Sequence, residues 1–387
     1  MPAAGQFWGH FSNATAQPAK PQPAPSAQFL LNIDMHRPTS SGCFIYDIEP
    51  ANAPIPDGVK FALQVELSTN DGRRIIGRAT TAATVDIQTG RIIPLDIPSR
   101  DSVPYQMDFA AIASVENLNF SGTWGNSWGE KGSVSFWRPE SGDRVREVTK
   151  CRTWAEYKQW AGDEGRKNFA FRGQANSEWQ LKTTLHRSDR FNLWTYSNET
   201  LPELQQEFEA AGASFNRENP TEFARLLALA QHHGFPTPLL DFTRSPYIAA
   251  YFAFSAVLDR PKIGEADHVR VYALDESFKA KASRPAVTLS SIEPTTGILG
   301  VSGLHNPRLY AQQGLFLFSN VELVEHLLTS QFYTQGATFL RAVDIPATVA
   351  AEAIKDLMYM GISPASLFPG IDGICLKLKQ QLLTGAI

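Results

Sequence analysis

Four short stretches hold the residue types that suit chemistry on an anion. In "FAFRGQ", Arg172 ends an apolar strand and Gly173 follows it. The guanidinium offers a rigid fork for phosphate or carboxylate, and glycine lets the backbone pass close to a ligand. The alternative is a structural arginine paired with a carboxylate such as Asp241. In "LDFTRSPYIAAYFAF", Asp241, Thr243 and Ser245 alternate and can face one site. Ser245 is placed to cap, and Pro246 to begin, a buried helix whose free amides favour an anion such as a pyrophosphate. For Asp241 and Ser245, capping alone is the plain alternative. In "NPRLYAQQGLFLFS", Arg308, Gln312 and Gln313 are read on a strand running into the apolar residues, so one glutamine faces a ligand and the other turns away. His232 and His233 end a helix just before Gly234, and neighbours of that kind do not easily share one metal, so no metal is expected.

These stretches lie in the second half of a chain of 387 residues, with 43 % hydrophobic residues, 19 % charged residues and a net charge of −4. At roughly 150 residues per domain, two or three domains are expected. The apolar fraction excludes a disordered chain, and the charge argues against strong nonspecific nucleic-acid binding, which needs a basic face. The three cysteines, Cys43, Cys151 and Cys375, are widely spaced and fit a reducing, cytoplasmic setting. The most apolar run, from Pro246 to Leu258, is short of the ~20 residues of a membrane span, so no membrane is expected.

Residues 1–27 are rich in Ala, Pro, Gln and Ser and read as a flexible arm, with Phe7, Trp8 and Phe11 as exceptions. From 28 to 140 short alternating runs such as "FALQVEL" predict a β-sandwich or small barrel. From 145 to 387 the spacing changes. Thr153 with Glu156, Thr200 with Glu203 and Asn219 with Glu222 match helix starts. Strand-like runs fall at 169–172, 178–183, 269–274, 309–318 and 338–343. A multidomain chain with an α+β second half follows.

The segments "FAFRGQANSEWQLKTTLHR" (169–187), "LALAQHHGFPTPLLDFTRSPYIAAYFAF" (227–254), "NPRLYAQQGLFLFS" (306–319) and "MGISPASLFPGIDGI" (360–374) resemble, in content and order, the FRG domain. That family is named for the triplet standing here as Phe171, Arg172 and Gly173, and the resemblance spans about 150–375. One departure is Pro238, where the family usually has an arginine, which puts any anion contact at that place in doubt. The motif order is also similar to that of ADP-ribosyltransferases, and that resemblance implies NAD as substrate. It places Arg172 first, with Gly173 and Gln174 beside it, Thr243 and Ser245 second, Gln312 or Gln313 third, and Arg308 among the cofactor contacts. The family's third position is typically a glutamate. A neutral amide supplies no charge to an oxocarbenium-like transition state, so the carboxylate comes from Asp241, less well from Glu322, or the site binds without turnover.

The resemblance thus implies an NAD-dependent ADP-ribosyltransferase or glycohydrolase of a bacterial toxin or anti-phage type. The alternative is a non-catalytic nucleotide- or anion-binding sensor coupled to the β domain. The partners expected are a nucleotide-type small molecule and a protein met through the β domain.

Overall fold

The computed structural model describes residues 5–13, 26–34, 40–47, 60–69, 73–85, 92–94, 106–114, 119–138, 144–217, 219–259, 267–278, 296–299, 301, 307–329 and 338–384. Its first sheet is antiparallel: β1 (Gly5–Asn13), β2 (Ser26–Ile33), β3 (Ser40–Asp47), β4 (Lys60–Thr69), β5 (Arg74–Val85), β6 (Ile92–Pro94), β7 (Met107–Ala113), β8 (Asn119–Asn126) and β9 (Lys131–Trp137). The strand order is β2-β1-β9-β8-β7-β5-β4-β3, with β6 paired to β5. The sheet curls into a half-barrel whose end strands, β2 and β3, lie side by side.

Alternation fills its inner face, where Val65 and Leu67 are buried while Glu66 points out. The arm expected over 1–27 is instead a strand over Gly5–Asn13, because Phe7 and Phe11 pack into that core. Burying each phenyl ring is worth on the order of 2–3 kcal/mol, enough to fix a short strand whose flanks are low in apolar residues. Phe7 meets Phe120 and Phe136 edge-on at 5.8 and 6.0 Å. Cys43 has no described side chain, and residues 14–25 of the expected arm lie outside the described residues.

The second sheet is mixed: β10 (Glu147–Lys150), β11 (Phe169–Gln174), β12 (Leu239–Thr243), β13 (His268–Asp275), β14 (Thr296–Leu299), β15 (Gly314–Ser319) and β16 (Leu340–Pro346). Its order is β10-β16-β13-β11-β12-β15-β14, with β10 and β16 parallel. The helices are α1 (Trp154–Glu164), α2 (Thr184–Arg187), α3 (Leu193–Thr195), α4 (Leu201–Ala210), α5 (Pro220–His232), α6 (Pro246–Asp259), α7 (Pro307–Ala311), α8 (Val324–Thr329), α9 (Ala350–Tyr359), α10 (Pro364–Leu367) and α11 (Ile371–Thr384). Among the described residues no helix is long and apolar enough to cross a membrane.

Thr153 and Asn219 cap as their spacing predicts, accepting from the backbone amides of Glu156 and of Thr221 and Glu222. Thr200 does not cap, since a wide helical turn over Tyr196–Thr200 runs straight into α4 and gives it helical torsions. The strand expected at 178–183 is a loop. Its amides are met by side chains instead of a ladder: Asn176 accepts from Glu178, and Glu325 accepts from Leu181. α6 covers one side of β11, and Gly173 makes this fit, since a Cβ there would stand 1.9 Å from the Ala249 carbonyl oxygen.

The two sheets are joined by buried polar contacts. Gln6 on β1 donates from Nε2 to the Asn320 carbonyl and accepts from the Glu322 amide. Glu322, 2 % exposed, takes two hydrogen bonds from Arg138, at 2.8 and 3.0 Å, and one from Lys182 at 2.6 Å. Asp34 accepts from the amides of Phe191 and Asn192, and the Trp8 ring stands edge-on to His326 at 5.4 Å.

Candidate functional site

β11 and β12 pair at one point, Phe171 opposite Thr243, and the ladder goes no further. Beyond it the Arg172 side chain bridges the strands, Nη1 donating to the Asp241 carbonyl at 2.8 Å. The Asp241 carboxylate is 3.9 Å from the same nitrogen. Beside this bridge lies a cleft of 290 Å³, lined among others by Arg172, Gly173, Asp241, Thr243, Arg308 and Gln312.

Arg172 is an unfinished ion pair. Its side chain is 12 % exposed while that of Asp241 is 67 % exposed, so the carboxylate keeps much of its water and the arginine little. Arg172 Nε is buried and has no hydrogen-bond partner among the described residues. Burial pushes the Arg172 pKa down, Asp241 opposes this, and the nearby charge of Arg187 adds to the lowering. Arg187 and Arg308 also shift down through burial, each opposed by Asp241. Two part-buried guanidiniums, Arg172 and Arg308, therefore line the cleft beside the Asp241 carboxylate, and Arg187 adds its charge from outside that lining. Such an excess of desolvated cations favours a bound anion.

The supports are local. Thr237 donates from its hydroxyl to Gln231 Oε1, and Gln231 Nε2 donates to Asp241 Oδ1 at 2.8 Å, which fixes the carboxylate. Thr243 donates to the Gln312 carbonyl at 2.7 Å and so ties β12 to the turn before β15. Arg308, on α7, lies with its guanidinium 4.5 Å from the centre of the Phe368 ring. His232, at the end of α5, also lines the cleft, and burial, with the charges of Arg308 and His233, lowers its pKa below the usual histidine value.

Of the residues expected at the site, Arg172, Gly173, Asp241, Thr243, Arg308 and Gln312 come together. Three do not line the cleft. Ser245 caps α6, accepting from the Ile248 amide at 3.3 Å. Gln174 is 7 % exposed, at the end of β11. Gln313 is exposed in a left-handed turn (φ 47°), with its carbonyl accepting from the Arg244 amide. The strand expected at 309–318 is corrected: Arg308 sits on α7, both glutamines sit in the turn, and β15 begins at Gly314. Gln312 therefore reaches the cleft by turn geometry rather than strand alternation, and its amide donates to the Leu367 carbonyl at 3.2 Å.

Glu322, the second candidate carboxylate, is buried among Arg138 and Lys182 and does not line the cleft. Pro238 is buried before β12, its carbonyl bonded to the Ser319 amide, so the cleft's cations come from other positions. Among the described residues no three metal-ligating side chains come together. Sequence reasoning missed Gln231, inside the second quoted motif, because nothing in its spacing marks that its side chain turns toward the cleft.

An α+β domain on a mixed sheet, with an arginine-rich cleft where two strands part, defines the class. Residues 167–261 match the family model described as FRG domain, so the chain contains an FRG domain. The match spans the first two motifs, a shorter stretch than the 150–375 expected. No curated protein matches the chain. A solved structure described as a redesigned beta barrel aligns at 12 % identity over 35 % of this chain and 91 % of its own, with a TM-score of 0.23, which is too low to inform the fold.

Proposed function

We propose that the chain binds a nucleotide-type anion in the 290 Å³ cleft, with a phosphate group on Arg172 and Arg308. The observation that carries this reading is the buried, unpartnered Nε of Arg172 beside an exposed carboxylate. A buried donor without a partner costs about 1–3 kcal/mol, and an anion in the cleft would offset that cost through the charge of the guanidinium.

NAD is the finer proposal. Asp241 lines the cleft, oriented by Gln231, and could face the positive charge that develops on the ribose as the nicotinamide bond breaks. Gln312 would act by hydrogen bonding alone. The protein would then transfer ADP-ribose to a macromolecule or to water, in keeping with an effector or defence role in the cytoplasm. The alternative is a sensor that binds without turnover, with occupancy passed to the half-barrel sheet through the contacts at Gln6 and Glu322.

The experiment is incubation with nicotinamide-labelled NAD and cell lysate, with Arg172→Ala and Asp241→Ala as controls. Nicotinamide release that both substitutions abolish supports the enzyme. Binding without release supports the sensor, and release unchanged in both variants contradicts the choice of residues.

A further inference from the structure

A second cavity of 870 Å³ adjoins the cleft and shares Ala228, His232 and Arg308 with it. Sites for drug-sized ligands hold roughly 300–1,000 Å³, so the cleft alone lies at the small end of that range and the neighbour near the large end. Their chemistry also differs. The larger cavity presents two phenylalanine rings, each paired with an arginine: Arg225 lies 5.7 Å from the Phe215 ring centre and Arg308 4.5 Å from that of Phe368. A guanidinium held over an aromatic ring still has N–H donors to offer a ligand. Among the described residues neither the Arg225 nor the Arg308 guanidinium donates a hydrogen bond or joins an ion pair, each meeting a ring instead. Asp372 on α11 is the one carboxylate in the lining. It repels phosphate and accepts from amino groups, which sets which end of a ligand enters.

We infer that the larger cavity takes the planar aromatic part of a ligand whose diphosphate occupies the smaller cleft, which makes the ligand class a nucleoside diphosphate or its conjugate. Arg308, shared by both spaces, stands where head and tail meet. The base stacks among Phe215, Phe368 and their arginines, and Asp372 accepts from its amino group. This rests on the anion-binding reading of the cleft.

The test is calorimetry of the full chain with two probes, inorganic pyrophosphate for the head and ADP for the whole. Wild type is expected to bind ADP about tenfold more tightly than pyrophosphate, a gain within the range of cation–π and aromatic contacts. Arg225→Ala is expected to weaken ADP about fivefold or more and to leave pyrophosphate within about twofold, and Arg172→Ala to weaken both. Equal affinity for the two probes in wild type, or an Arg225→Ala variant that binds ADP like wild type, overturns the inference while leaving the cleft's anion site standing. If Arg225→Ala weakens ADP but Arg172→Ala changes neither probe, the anion reading of the cleft fails instead. No binding of either probe overturns both. Arg225 is half-buried and its guanidinium only lies over the Phe215 ring, so a matching melting temperature for its variant shows that the fold is kept.

Discussion

Two clusters in this molecule each centre on one carboxylate, and they are finished to different degrees. Glu322 is 2 % exposed and receives hydrogen bonds from Arg138 and Lys182. Burial pushes its carboxyl pKa upward, but the Lys182 hydrogen bond and the charge of Arg138 outweigh this and hold it below the usual value. Asp241 is open to solvent and meets Arg172 at 3.9 Å, while Nε of that arginine has no partner among the described residues. Buried charge is kept stable by complete pairing, as at Glu322. Charge left incomplete at a cleft is what the proposed anion would complete.

The comparison breaks first at Glu322. Glu322→Ala leaves Arg138 and Lys182 without their shared partner and is expected to cost about 3 kcal/mol of stability, read from denaturant unfolding. A loss below about 1 kcal/mol would mean that the interface cluster is as dispensable as a surface pair.

Acid offers a second way in. His186, buried near Glu322 and Lys182, shares a hydrogen bond with Thr183 at 2.8 Å, and burial lowers its pKa to about 4. The unfolded chain takes up this proton more readily than the folded one. The stabilisation is therefore complete above about pH 6.5 and is lost as pH falls toward 4, a total on the order of 3 kcal/mol. His186→Gln is expected to flatten that limb of the stability–pH curve, and an unchanged limb would assign the acid sensitivity to another group.

The cleft is expected to respond least in stability. Arg172→Leu and Asp241→Asn are each expected to change unfolding free energy by no more than about 1 kcal/mol, since each removes an incomplete pair. Losses near those of Glu322→Ala would make Arg172 a structural arginine, the alternative that its sequence position also allows.

Much of this was legible in the sequence, by way of side-chain chemistry more than element type. The capping reading of Thr153, Asn219 and Ser245 holds because those spacings state a local hydrogen-bond need that is met within a few residues. Arg172, Asp241 and Thr243 meet because strands end beside one another in a sheet. β1 was hidden because its composition is diluted by neighbours, while its order comes from a distant core holding Phe120 and Phe136. Gln312 and Gln313 were misplaced because an apolar run marks where β15 lies and not where it starts. Glu322 gave no local sign at all, since its partners Arg138 and Lys182 are 184 and 140 residues away.

The most direct measurement of the central claim is thermal unfolding with and without millimolar pyrophosphate, in wild type, Arg172→Ala and Glu322→Gln. An anion seated on the incomplete cluster raises the melting temperature by mass action, so wild type and Glu322→Gln should each gain several degrees and Arg172→Ala close to none. Equal gains in all three proteins would contradict the assignment of the anion site to Arg172.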